Sequence, residues 1–154
     1  MVVWLEKKVQ IYTEKSCLTD LFFLYLSIKI KVMHLRTVKR LAEKYLDKCS
    51  EVYGHSKHHE TTPYLEFQPT LYSIYTKEDH TEAEYIHDYN TIVIYYKQIK
   101  NEKHLIQTLI HEYQHYLQSP SWYTRYYGMG YNYSDHPYEI AAYKEEKNYR
   151  KVYE

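Results

Sequence analysis

Residues 101–117, NEKHLIQTLIHEYQHYL, read as one helix, and that helix decides the fold. Asn101 is a favourable N-cap and Glu102 an acidic first-turn residue. Leu105, Ile106, Leu109, Ile110, Tyr113, Tyr116 and Leu117 place apolar side chains around most of the cylinder, the pattern of a buried helix. Set within it is His111-Glu112-Tyr113-Gln114-His115. Residues i and i+4 of a helix stand one above the other, so both imidazoles can grip one metal ion from the same face. Glu112 can project toward a water held by that metal. In a chain with 10 histidines the five-residue pattern arises by chance on the order of once in twenty sequences, so its setting carries the weight. On an apolar helix, two histidines leave ring nitrogens to satisfy, and a metal ion satisfies them.

Upstream of this helix, Thr91-Ile92-Val93-Ile94-Tyr95-Tyr96 is rich in β-branched and aromatic residues and predicts a strand. Asp88-Tyr89-Asn90 is a turn signal, with a second strand at Glu84–His87. Leu65–Phe67 and Leu71–Tyr75 alternate in the same way, and Pro69 confines the first of them to an edge or an end. Together these predict a small, mostly antiparallel sheet. Leu35, Val38, Leu41, Tyr45, Cys49 and Val52 recur at three- and four-residue steps and predict an amphipathic helix that stops near Gly54. The polar stretch His55–Pro63 reads as a loop whose His55, His58 and His59 are solvated. Downstream, Ser119-Pro120 ends the central helix. Residues 121–134 are aromatic, with Gly128 and Gly130 permitting tight turns. A last helix is expected from Asp135-His136-Pro137 through Glu139, Ile140, Ala142, Tyr143 and Glu146.

The chain has 154 residues, enough for one domain with a core. Its 20 basic and 20 acidic residues cancel, which gives no electrostatic reason to expect a nucleic-acid partner. The two cysteines, Cys17 and Cys49, fit neither a disulfide scaffold nor a zinc knuckle, so a reducing cytoplasm is expected. The 22 tyrosines are expected mainly as core and rim packing. The abundance of Lys, Ile and Tyr fits an A+T-rich coding sequence, such as that of a phage or another virus. Residues 1–32 form an extension whose reading stays open between a packed helix and strand, a membrane anchor over 18–32, and a stretch upstream of a natural start at Met33. The apolar run Leu21–Ile28 is too short to span a bilayer, and no membrane association is expected.

Glu139-Ile140-Ala141-Ala142, on a helix after the histidine motif, resembles the E-x-x-A element of gluzincin-type zinc metallopeptidases, ImmA-like or other minimal gluzincins fitting better than the SprT-like branch, which usually takes a third His. The resemblance covers about residues 64–146. It implies an α+β, zincin-like domain over 33–154 with one zinc ion per chain. His111, His115 and Glu139 are the implied ligands, and Glu112 the general base. No cofactor beyond the metal is implied, and the implied partner is a peptide or protein substrate. The strand before the motif helix is similar to the edge strand on which that family pairs extended substrate. Alone, Glu139 would be a helix-start residue, placed for capping and dipole contacts; Ala141 and Ala142 would let its helix approach closely. Tyr131, Tyr133 and His136 are candidates to stabilise an oxyanion. Asp135 and Asp88 are candidates to orient the ligand imidazoles, and Glu145 and Glu146 are expected in solvent. The alternatives are a catalytically silent zinc-binding module and a metal-free interaction protein.

Overall fold

The computed structural model describes residues 33–71, 73, 74 and 81–154. The readings of residues 1–32 lie outside the described residues. Among these there are five α-helices and a three-stranded sheet: α1 (Leu35–Tyr53), β1 (Tyr64–Gln68), β2 (Ala83–Ile86), β3 (Thr91–Tyr95), α2 (Glu102–Leu117), α3 (Pro120–Gly128), α4 (Pro137–Glu145) and α5 (Arg150–Tyr153). The architecture is α+β. No helix among the described residues is long and apolar enough to cross a membrane.

The two long helices follow their apolar periodicity and their caps. α1 buries Val38, Leu41, Ala42, Tyr45, Leu46 and Cys49 along one face. It ends where Gly54 takes φ 76°, a backbone conformation that costs glycine little and other residues more. α2 starts where the Asn101 side chain accepts a hydrogen bond from the His104 N–H at 2.9 Å. Its Leu105, Ile106, Leu109, Ile110, Tyr113 and Tyr116 join the α1 residues, Ile92 and Ile94 in one core. α2 packs against α1, α4 and β2, which makes it the central element.

The sheet differs from the expected antiparallel arrangement. Its order is β1-β3-β2, with β1 parallel and β2 antiparallel to β3. Alternation specifies a strand and its buried face, but not the direction of its neighbour. Here β2 lies on the far side of β3 from β1, so β1 and β3 are not joined by a hairpin. β3 is buried from Ile92 through Tyr95, as its continuous apolar run requires of a central strand. Asn90, at φ 46°, closes the turn between β2 and β3.

Of the expected strand Leu71–Tyr75, the described residues Leu71, Ser73 and Ile74 are not in a strand. Leu71 lies in a bend and Ile74 in a turn, while Tyr72 and Tyr75 fall outside the described residues. This segment is pinned by side chains: Ser73 Oγ donates to Glu84 at 2.8 Å, and the Ile74 N–H donates to Tyr95 Oη at 2.9 Å. α3 was not expected either. It buries no residue and lacks an apolar stripe, so only Pro120 at its first turn marked it.

Two substitutions test this hierarchy. Leu109→Ala in the core centre should cost about 2–5 kcal/mol in urea unfolding, and Asn101→Ala about 1 kcal/mol. Equal, small losses would show that α2 is not the element around which the core packs.

Candidate metal centre

α2 sets the first two ligand positions. His111 and His115 lie one turn apart on the face directed toward α4, their ring centroids 5.0 Å apart. α4 brings the third. His136 caps it, its ring nitrogen accepting from the Tyr138 N–H at 3.2 Å; Pro137 occupies the first turn and Glu139 follows. Ala142 is fully buried and lets α4 approach, whereas Ala141 and Ile140 face outward.

Glu139 is 1% exposed and reaches both imidazoles. Its Oε2 lies 3.4 Å from His111 Nε2, and its Oε1 lies 3.4 Å from His115 Nε2. One donor atom from each of the three residues lies within 4.8 Å of the others, so the group can bind a metal ion. The fit is supported by Glu139 Oε2, which is buried and has no well-formed hydrogen bond beyond its 3.4 Å approach to His111 Nε2. A buried carboxylate oxygen in that condition is costly, and a cation between the three donors would remove the cost.

The outer ring nitrogens are also occupied. His115 Nδ1 lies 2.8 Å from Gln118 Oε1, and Gln118 Nε2 donates to the Tyr138 carbonyl at 3.0 Å. Gln118 thus ties a ligand on α2 to the helix start that carries Glu139. His111 Nδ1 lies 3.4 Å from Glu146 Oε2. Tyr123 on α3 donates to Glu139 Oε1 at 2.8 Å. These contacts fix ring orientation and hold the nitrogens that face the centre available as ligands.

Several expectations are corrected here. Asp135 accepts the Asn132 N–H at 2.5 Å as a local cap, and Asp88 lies in the β2–β3 turn; the imidazoles use Gln118 and Glu146 instead. Glu146 is therefore part of the site, while Glu145 bonds Tyr53, Asn148 and Lys151. His136 is fully buried with both ring nitrogens engaged, Nε2 at 3.1 Å from the Tyr123 carbonyl, so it has no free donor for an oxyanion. Tyr131 packs on Tyr126. Tyr133 remains: it lines the cavity beside His111 and Glu112, its hydroxyl 3.4 Å from that of Tyr143. In the loop before β1, His55 and His58 are exposed as expected, but His59 is not free. Its Nε2 lies 2.8 Å from Tyr85 Oη and 2.9 Å from His87 Nδ1.

Sequence reasoning missed Gln118, Glu146, Tyr123 and Tyr143. Three had a signal: Gln118 is three residues after His115, Glu146 seven after Glu139 and Tyr143 four after Glu139, all same-face spacings. Tyr123 had none.

Glu112 is 7% exposed and borders the cavity next to His111. Burial pushes its carboxyl up, while the two imidazoles and the backbone N–H of Tyr85 on β2 pull it back. Burial draws the His111 and His115 rings down, but the Glu139 carboxylate and Glu112 outweigh it and leave both raised. Glu139 is also pushed up by burial, but the two imidazoles and the Tyr123 hydroxyl hold it well below the carboxylate range.

β2 has one edge on β3, and its two ends border two cavities. A cavity of about 390 Å³ is lined by Thr81–Ala83, His111 and Glu112; one of about 300 Å³ is lined by Tyr85, His87, His115 and Tyr123. The centre thus sits between two recesses strung along β2. The strand directly before the motif helix, β3, is central, so the expectation of an edge strand at that position does not hold; among the described strands β1 and β2 are the edges. Comparison with known proteins gives no match to a family model, a curated protein or a solved structure.

The signs of the shifts fix a pH test. Raised imidazoles stabilise the metal-free fold below their ordinary value and lose that contribution as pH rises through the raised values. Glu112, also raised, begins to lose its contribution already as pH rises past the ordinary carboxylate value, which draws the optimum toward the acidic side. Glu139, held low, stabilises above the ordinary carboxylate value and loses this as pH falls. For this cluster, metal-free stability peaks at roughly pH 4.5–6.5. A metal must displace the imidazole protons, so its stabilisation grows as pH rises above that window. Melting curves with chelator and with metal should diverge toward alkaline pH; parallel curves would exclude these imidazoles as ligands.

Proposed function

We propose that this chain is a zinc-dependent metallopeptidase of the gluzincin type. The observation that supports it most is the convergence of His111, His115 and Glu139 beside Glu112, at a cleft bordered by an edge strand. Two imidazoles and one carboxylate, without thiolate, suit zinc and leave a coordination position open. When bound, zinc supplies the Lewis acidity that polarises a peptide carbonyl and makes water acidic enough to attack near neutral pH.

The protein's own groups would do the rest. An extended peptide lies along the outer edge of β2, its main chain pairing with the strand. Glu112 accepts the proton of the attacking water and returns it to the leaving amine, and its raised pKa suits both steps. Tyr133 donates its hydroxyl hydrogen to the oxyanion, with Tyr143 beside it. Gln118, Glu146 and Tyr123 keep the three ligand side chains oriented as charge develops.

The carboxylate of Glu112 separates a peptidase from a silent zinc-binding module, since holding zinc does not require it. Glu112→Gln should retain about one zinc per chain and lose peptide hydrolysis by a factor on the order of 10³ or more, while Tyr133→Phe loses about 10²-fold in kcat with little change in KM. Glu139→Ala should weaken zinc binding at least about tenfold. Purified protein with far less than one zinc per chain would overturn the zinc reading, and hydrolysis that survived Glu112→Gln would overturn Glu112 as base.

A further inference from the structure

The larger of the two cavities has a chemical bias that the hydrolytic reading does not require. It runs along α2 from Glu112 and His111 back to His104, seven residues or about 10 Å. Among the described residues, three carboxylates line it, Glu82, Glu112 and Glu146, and no Lys or Arg does. At the far end, Glu82 Oε1 lies 2.9 Å from His104 Nε2. Lys100 comes no closer to it than 4.0 Å, from a well-exposed position, which makes that pair weak. In the same wall Thr108 is 6% exposed, and its hydroxyl has no hydrogen-bond partner. Tyr143 stands at the His111 end, its ring 4.6 Å from that imidazole and Tyr133 beside it, and Gln107 and Thr108 line the stretch of α2 between the two ends. The cavity therefore offers an acidic far end reached past hydroxyl, amide and aromatic side chains, the complement of a long side chain with a cationic head.

Its position relative to Glu112 assigns a side of the scissile bond. Glu112 lines this cavity and not the other. A carboxylate that returns a proton to the leaving amine must stand on that amine's side. The residue beginning with that amine then projects into this cavity. We propose that the cavity receives the side chain of a Lys or Arg that follows the scissile bond, so that cleavage leaves a basic residue at the new N-terminus. This rests on the peptidase reading for the reaction and on the cavity for the preference.

Because Glu146 also touches His111, the test is placed on Glu82, which contacts no ligand of the centre. Zinc-loaded protein is given an acetylated peptide library, so that no free N-terminus supplies the charge, and the cut sites are mapped by mass spectrometry. Lys or Arg should follow the cut at least about tenfold more often than norleucine, a difference of about 1.4 kcal/mol. Glu82→Gln should shrink this ratio several-fold, by about 3–10 times, and Glu82→Lys should abolish it, each with unchanged zinc content. Cleavage without a basic preference, or one that survives Glu82→Lys, overturns the inference and leaves the peptidase reading standing. In parallel, zinc-loaded Glu112→Gln protein is titrated with acetylated peptides differing only in Lys or norleucine, read by fluorescence anisotropy. Equal affinities overturn the inference even if the wild type cuts nothing, an outcome that would overturn the peptidase reading.

Discussion

The candidate metal centre depends on one buried carboxylate. Glu139 is almost completely enclosed between two imidazoles, and an ionised group in such a place costs several kcal/mol unless neighbours compensate it. That condition fixes the relation of α4 to α2. His136 secures the start of α4 with both ring nitrogens used, one accepting from Tyr138 and the other donating to Tyr123. This pins the ring in its neutral tautomer. The same tyrosine that supplies a carbonyl to His136 supplies its hydroxyl to Glu139. α3 therefore has a purpose despite burying nothing of its own: it carries Tyr123 across the site.

Much of the fold was legible because its signals are local. The periodicity of α1 and α2, the cap at Asn101, the stop at Gly54 and the run at Thr91–Tyr95 are each read within a few residues, and all hold. The parallel pairing of β1 with β3 was not legible, since strand direction depends on where the connection passes rather than on the strand's own residues. At the site, His111 and His115 could be paired from helix geometry alone. Glu139 required the resemblance, because its position just after His136 is equally that of an ordinary helix-start carboxylate. His59 was misread for a related reason. Its polar loop looks solvated, and only the tertiary fold brings His87 and Tyr85 to it.

The tyrosines show how a chain with only 3 glycines fixes its loops. Tyr45, Tyr95, Tyr113 and Tyr116 are fully buried, yet each sends its hydroxyl to a partner. Tyr113 donates to the Gly54 carbonyl at 2.7 Å and Tyr116 to the Thr61 carbonyl at 3.1 Å, tying both ends of the histidine loop to α2. Tyr45 donates to Glu102 at 2.5 Å, linking α1 to the first turn of α2. Each ring fills the core, while its hydroxyl satisfies a polar group that would otherwise lie buried and unpaired. Packing and loop anchoring are thus carried by the same side chains.

This division of labour explains how the centre can be arranged before a metal enters it. The apolar core is formed by α1, β3 and other faces of α2, and does not need the three ligand side chains. Within the site, protons on the imidazoles take the place of a cation, holding Glu139 ionised between them. Where a small structural zinc site folds only as the ion binds, this domain would already have its ligands converged, and metal binding would exchange protons for the ion. Preorganisation of that kind lowers the ordering cost of binding. It has a matching consequence for catalysis. Glu112 is carried by α2 itself, whereas Glu139 is positioned by α3 and α4, so base and third ligand are set by different elements. A change that loosens α4 would therefore weaken metal binding while leaving the base and the edge strand in place.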